Sequence, residues 1–191
     1  TFKLKNTNII NINMIPQIIH QTWKTSEIPE HLEKHVESWK SNHRSFQFMF
    51  WTDKDNIDFI EREWPSYIEI YKNIPTPVMK CDLMRYLILY HYGGYYIDLD
   101  VMCYKSLYDL PVDPEKHEVV LTEEHPTHGM EYNMKQIVTN WFFACKKKSR
   151  FMFEIIKTVL NNIKKFPNVD QPLNITGPFM MTSVYNKLKT N

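Results

Sequence analysis

Two aspartates separated by one residue, Asp98 and Asp100 in Tyr95-Tyr96-Ile97-Asp98-Leu99-Asp100-Val101, are the residues in this chain best suited to chemistry. Strand side chains alternate between faces, so Tyr96, Asp98 and Asp100 are expected on one face and Ile97, Leu99 and Val101 on the other. The apolar set then packs inward, and the carboxylates emerge together at the carboxyl end of a strand, where open α/β sheets place their ligands. Hard divalent cations such as Mg²⁺ and Mn²⁺ take oxygen donors, and one or two carboxylates with substrate phosphates is a usual arrangement. A cation held there would act as a Lewis acid on a departing nucleoside diphosphate without moving a proton. The bland alternative is a pair of solvated turn residues at a strand end.

Asp82 and Arg85 stand out as a charged pair in a run that is nearly apolar from Val78 to Tyr92. Three apart on a helix, they face the same way. They read either as a structural ion pair satisfying two buried charges, or with Arg85 on a phosphate or sugar oxygen and Asp82 on sugar hydroxyls. Gly93-Gly94 ends the helix, because glycine reaches left-handed conformations at little cost.

The elements that must position these residues follow from periodicity. Ile15 to Trp23 reads as a buried strand, Pro29 to Asn42 as an amphipathic helix, and Phe46 to Trp51 as a second strand. Asn56 to Tyr71 reads as a helix with Ile57, Ile60, Trp64, Ile68 and Tyr71 toward the core, broken or kinked at Pro65. Val78 to Tyr92 is a long helical run and Tyr95 to Leu99 a strand. Val119 to Thr122 and Trp141 to Ala144 add strands, and Phe151 to Lys164 a helix. The order predicts an α/β layer fold with a mostly parallel sheet flanked by helices.

At 191 residues and 43% hydrophobic, the chain is expected to bury one core, a single domain over 14–191 after a polar, loosely held segment 1–13. A net charge of +1 argues against nucleic acid as a partner. Cys81, Cys103 and Cys145 lack paired zinc-site spacing and read as ordinary thiols, and the eight histidines include no H-E-x-x-H. No stretch approaches the roughly 18 to 20 apolar residues of a membrane span, so the chain reads as soluble, with a secretory lumen or the cytoplasm both open. Asn174-Ile175-Thr176 has the form of a glycosylation acceptor, a triplet that also arises by chance. The loop Glu123 to His128 reads as solvated.

Asp82-Leu-Met-Arg85-Tyr followed by Gly93-Gly94-x-Tyr96-x-Asp98-x-Asp100-Val101 resembles the signature of the glycosyltransferases with a DxD sugar-binding region, the group of yeast initiating α-1,6-mannosyltransferases and α-1,4-galactosyltransferases. More distantly it is similar to the glucosyltransferase domain of large clostridial toxins. Ile15 to Trp23, Phe50-Trp51-Thr52-Asp53, Asn140-Trp141-Phe142 and Thr176-Gly177-Pro178 match further landmarks, so the resemblance spans roughly 14–182. It implies a GT-A fold, a UDP- or GDP-sugar donor, Mn²⁺ or Mg²⁺, and retaining transfer of a hexose or N-acetylhexosamine to a glycan, protein or lipid acceptor. By position it implies Trp23 on the donor base with Gln21 and Thr22 nearby. Asp82, Arg85 and Asn140 fall on the donor, Tyr96 beside the nucleotide, and Asp98 and Asp100 on the metal. For Trp23 core packing is the competing fate. Members of the family continue past the Thr-Gly-Pro landmark, so the end at Asn191 reads either as a truncation or as a minimal, more open site. Two other readings stand beside the transferase: a sugar-nucleotide-binding module without turnover, and a haloacid-dehalogenase-type phosphohydrolase with Asp98 as nucleophile. The second needs an acidic pair downstream that the sequence does not offer.

Overall fold

The computed structural model describes residues 14–113 and 115–189, so the expected loose segment 1–13 lies outside the described residues. The chain runs β1 (Ile18–Thr22), α1 (Glu30–Asn42), β2 (Gln47–Trp51), α2 (Asp53–Glu63), α3 (Ile68–Lys72), α4 (Pro77–Tyr92) and β3 (Gly94–Ile97). It continues through β4 (Val119–Glu123), α5 (Pro126–Glu131), β5 (Val138–Cys145), α6 (Arg150–Lys165), α7 (Pro172–Ile175) and α8 (Pro178–Lys189).

The five strands form one sheet in the order β2-β1-β3-β5-β4. β2, β1 and β3 pair in parallel, while β5 runs antiparallel to both β3 and β4. One strand therefore opposes the other four, and the sheet is mixed. Along β3 and β5 the side chains alternate between two cores, as the pleat requires. Tyr96, Phe143 and Cys145 face the larger core with α4, α6 and α8. Tyr95, Ile97, Phe142 and Ala144 face a smaller one with Ile19, Trp39 and Phe46.

Most expected elements are present with shifted ends. Trimming is greatest in β1, which starts at Ile18, and in β3, which stops at Ile97. The break near Pro65 is real: α2 ends at Glu63, Pro65–Tyr67 form a single 3-10 turn, and α3 follows. Proline has no N–H for the helix ladder, so the chain restarts there. Ile57 does not enter the core, being 36% exposed, whereas Ile60 lies in it as expected at 0% and Phe59 joins it at 1%. Ile57 borders an open cavity instead of a packed neighbour. Thr52 and Asp55 form a reciprocal capping box, which begins α2 at Asp53.

Helix α4 is buried on nearly every side, as a helix that is apolar all round must be. Met79, Leu83, Met84, Tyr86, Leu87, Ile88 and Leu89 are all fully enclosed. Pro77 begins it, where the missing N–H has no intrahelical partner to lose. Gly93 and Gly94 end it with φ of 69° and 101°, and a Cβ on Gly94 would lie 2.6 Å from the Ile18 carbonyl oxygen. The two glycines thus turn the chain directly from the buried helix into the strand beside β1. His20 secures the junction: its Nε2 lies 2.9 Å from the Gly93 carbonyl oxygen, and Trp51 Nε1 donates to its Nδ1 at 3.2 Å.

Candidate functional site

The two aspartates stand not on a strand face but in the turn that follows β3. Asp98 extends the sheet by one bond, its N–H donating to Trp141 O at 2.8 Å, and Val101 N–H then closes back on Asp98 O at 3.2 Å. Leu99 is buried at 5% against Leu32 and Val36, which anchors the turn and leaves Asp100 exposed. The expected alternation over 96, 98 and 100 therefore fails beyond Ile97, because the ladder ends there. Both carboxylates nevertheless reach one cavity of about 820 Å³, bordered also by Thr22, Trp23, Arg85 and residues of α2 and the start of α4.

Behind the turn lies a continuous polar network within the core. Arg85, 6% exposed, has Nη1 3.2 Å from Asp98 Oδ1 and Nη2 3.5 Å from Asp82 Oδ1. The same Nη1 donates to the Asn140 carbonyl oxygen, and the guanidinium stands 4.6 Å over the Tyr96 ring. Tyr96 hydroxyl donates to Asp98 Oδ1 at 2.9 Å, so Thr22 Oγ1, also 2.9 Å away, serves as donor to that hydroxyl. Asp82 accepts from Asn140 Nδ2 at 2.9 Å and from Thr176 Oγ1 at 2.7 Å. Burial of polar groups on this scale is tolerated because their bonding capacity is nearly filled.

The electrostatics follow from burial and pairing. Burial pushes the Asp82 and Asp98 carboxyls up, and Arg85 opposes the rise in both. Asp100 adds to the rise at Asp98, as two like charges sharing a site must. Burial alone would lower Arg85, yet Tyr96, Asp98, Asp82 and Tyr86 together raise it, so it is a fixed cation. Tyr96 is raised well above an ordinary phenol by burial and stays protonated to serve as the donor to Asp98.

The structure brings together Thr22, Trp23, Arg85, Asp98 and Asp100 on the cavity. It sets Gln21, Asp82, Tyr96 and Asn140 behind that wall, buried at 3%, 3%, 1% and 9%. Asp82 and Arg85 form the buried ion pair of the structural reading, and Arg85 reaches the cavity in addition. Thr176, read in the sequence only as part of a landmark and a glycosylation triplet, is enclosed and committed to Asp82. Its partner is 94 positions away, a distance at which local spacing carries no signal. Asp53, Asn56 and Cys81 also border the cavity and were not singled out as site residues; Asp53 lies in the quoted Phe50-Trp51-Thr52-Asp53 segment. Among the described residues, three or more His, Cys, Asp or Glu side chains gather nowhere as a metal site, and no helix is long and apolar enough to cross a membrane.

Residues 29–118 match the family described as a glycosyltransferase sugar-binding region containing a DXD motif. The chain is 38% identical over 177 residues to inositol phosphoceramide mannosyltransferase 3 of Schizosaccharomyces pombe, covering 90% of this chain and 45% of that one. It is 42% identical over 94 residues to mannosyl phosphorylinositol ceramide synthase SUR1 of Saccharomyces cerevisiae, covering 49% of this chain and 25% of the relative. The chain thus spans less than half the length of these curated relatives. In three dimensions it is similar to the PaToxG glycosyltransferase, with a TM-score of 0.66 at 18% identity, covering 93% of this chain and 75% of that chain. That likeness bears out the expected α/β architecture of the GT-A type, with one strand reversed. With the Asp98-Leu99-Asp100 turn inside it, the matched segment 29–118 carries the DXD-containing sugar-binding region of this glycosyltransferase family.

Proposed function

We propose that this chain is the donor-binding part of a metal-dependent, retaining glycosyltransferase that moves a hexose from a UDP- or GDP-sugar to an acceptor hydroxyl. The observation that carries this reading is the convergence of Asp98, Asp100, Arg85 and Trp23 on one cavity. Asp100 is free and exposed, while Asp98 is steadied by Arg85 and Tyr96. Two oxygen donors of this kind, with room left for phosphates, fit Mn²⁺ or Mg²⁺ better than a closed protein cage would. When bound, such an ion supplies Lewis-acid stabilisation of the charge on the departing diphosphate.

The protein's own contribution is positioning and fixed charge. Arg85 cannot lose its proton, and its guanidinium is locked by Asp82, Asp98 and the Tyr96 face. It presents a pre-oriented cation at the cavity wall, so no reorganisation is needed as charge develops. Thr22 and Tyr96 relay a hydrogen bond onto Asp98 and fix that carboxylate's direction. The named relatives are an inositol phosphoceramide mannosyltransferase and a mannosyl phosphorylinositol ceramide synthase, which makes a mannosyl donor and an inositol phosphoceramide-type acceptor the first pair to assay.

The test is calorimetric titration with UDP- and GDP-sugars, with Mn²⁺ present and then chelated, on the wild-type chain and on Asp100→Ala. Metal-dependent binding in the wild type that disappears in Asp100→Ala, with unfolding unchanged, is the expected result. Undiminished metal-dependent binding by the variant would remove the assigned role of the aspartate pair.

A further inference from the structure

The strand paired with the aspartate turn is irregular where the two meet. Leu121 pairs with Phe143 and Glu123 with Val138, so residues 139–142 of β5 stand opposite Thr122 alone. Such a bulge interrupts the pleat and re-aims side chains. Trp141 and Phe142, neighbours in sequence, accordingly both pack against the smaller core. The bulge is firmly held: Thr122 Oγ1 donates to Phe142 O at 2.7 Å and accepts from Thr139 Oγ1 at 2.6 Å, while Arg85 takes the Asn140 carbonyl. It leaves the Trp141 indole half-buried, with Nε1–H donating to Glu124 Oε1 at 2.9 Å. The other oxygen of that carboxylate lies 3.0 Å from Nδ1 of His128, whose side chain is 54% exposed. Neither Trp141 nor Glu124 borders the cavity, yet the Trp141 carbonyl receives the Asp98 N–H. The aspartate turn therefore separates two surfaces, the cavity on one side and a Trp141–Glu124–His128 ledge on the other.

Resting on the glycosyltransferase reading above, we propose that this ledge holds the acceptor, and that Trp141, Glu124 and His128 take from it a polyol ring, a pyranose or a cyclitol. A second substrate has to meet the donor at the aspartates from the side that the cavity leaves open, and the ledge is the surface joined to Asp98 there. An indole offers a broad flat face with negative π density, which suits the C–H face of a saturated ring. A carboxylate has about four lone-pair positions, and Trp141 and His128 use two of those on Glu124, so places remain for hydroxyl donors. With Nδ1–H committed to Glu124, the second nitrogen of His128 is an acceptor as well. A flat aromatic face edged by acceptors is the complement of a ring that donates from its rim. A phosphate or carboxylate in the same place would be repelled by Glu124, and a hydrocarbon chain would cover that charge without a donor for it.

The experiment follows the indole N–H signals of the isotope-labelled chain by NMR, with UDP or GDP and Mg²⁺ present, as myo-inositol or methyl α-mannopyranoside is added. Trp141→Phe identifies the Trp141 signal by its loss. That signal is expected to shift and saturate, with a dissociation constant on the order of millimolar for so small a ligand. The probe that binds more tightly names the ring as cyclitol or sugar. Glu124→Gln keeps the shape and removes the charge, and is expected to weaken that probe about tenfold. The buried indoles of Trp39 and Trp51, which donate to Val101 O and to His20 Nδ1, should keep their signals in the variant and so report an intact fold. A Trp141 signal that neither probe moves, or undiminished affinity in Glu124→Gln, would overturn the ledge. Metal-dependent donor binding by the same preparation would then leave the transferase reading intact, and its absence would remove both.

Discussion

Arg85 Nη1 stands 3.2 Å from Asp98 Oδ1, joining the middle of the buried helix α4 to the turn beyond β3. The pair is only the visible end of a larger arrangement, since the same guanidinium also meets Asp82 and the Asn140 carbonyl. Fold and site are therefore not separable at this residue. The cation that faces the cavity is also the counter-charge that permits two carboxylates in the core.

Replacing Arg85 by methionine keeps the stem's volume and removes the charge. Asp82 is almost fully buried and would lose its opposing cation, though Thr176 and Asn140 remain bonded to it. Breaking one side of a buried pair costs about 3 kcal/mol or more, because an uncompensated charge stays behind. Asp98, with a side chain 30% exposed, can find water and keeps the loss toward the lower end. Urea unfolding of Arg85→Met should show a drop of about 3 kcal/mol. A loss below about 1 kcal/mol would mean that the aspartates are neutral and Arg85 serves the ligand alone.

Gly94→Ala is expected to destabilise without touching the cavity. Its φ of 101° lies outside the conformations open to an L side chain, and the new Cβ would press on the Ile18 carbonyl oxygen at 2.6 Å. Both β1 and β3 are central strands, so neither can shift without disturbing its other neighbour. Strain and overpacking together amount to about 3 kcal/mol, read as a lowered melting temperature. A melting temperature within a degree or so of wild type would show that the β1–β3 spacing relaxes freely.

How far the sequence reached can be seen at these same residues. Helix α4 and its stop were legible because an apolar run closed by two glycines has few other solutions. The direction of β5 was not, because an enclosed strand carries the same apolar run whichever way it points. Asp98 and Asp100 were expected together at the carboxyl end of a strand, and the structure sets both on one cavity, but the end of the ladder at Ile97 depends on pairing with β5 that no local pattern encodes. Asp82 was paired correctly with Arg85 from a spacing of three. Its bonds to Asn140 and Thr176 span 58 and 94 positions and emerge only from the packed fold.

Trp23→Ala separates a binding role from a packing one. The indole is half-buried, borders the cavity and leans on the small cluster of Leu32, Val36 and Leu99. Stacking of a base on an aromatic ring contributes roughly 1–3 kcal/mol, so nucleoside diphosphate affinity should weaken about tenfold or more. The melting temperature should fall only slightly, because Trp23 borders the cavity and lies outside the buried core. A large fall with unaltered affinity would assign Trp23 to the core.

His20 gives the fold a dependence on pH whose sign can be worked out. The ring is fully enclosed, bounded by Trp51 and Tyr92, with Nε2–H donating to Gly93 O and Nδ1 accepting from Trp51. Both nitrogens are used by the neutral form, so a second proton would break the Trp51 bond as well as bury a charge. Burial accordingly lowers its pKa from 6.5 to about 4, only partly offset by the Gly93 carbonyl. The unfolded chain takes up the proton first, near 6.5, and the folded chain resists until about 4. Stability from this group is therefore present above pH 6.5 and lost as the pH falls toward 4, by about 3 kcal/mol at 1.36 kcal/mol per unit. His20→Gln retains an N–H placed like Nε2–H but cannot titrate, so its unfolding free energy should fall less steeply over that window than the wild type's. Carboxylates elsewhere contribute equally to both proteins and cancel in the comparison. Parallel slopes for the two proteins would mean that His20 is already protonated in the fold, and that the Trp51 and Gly93 bonds do not set its state.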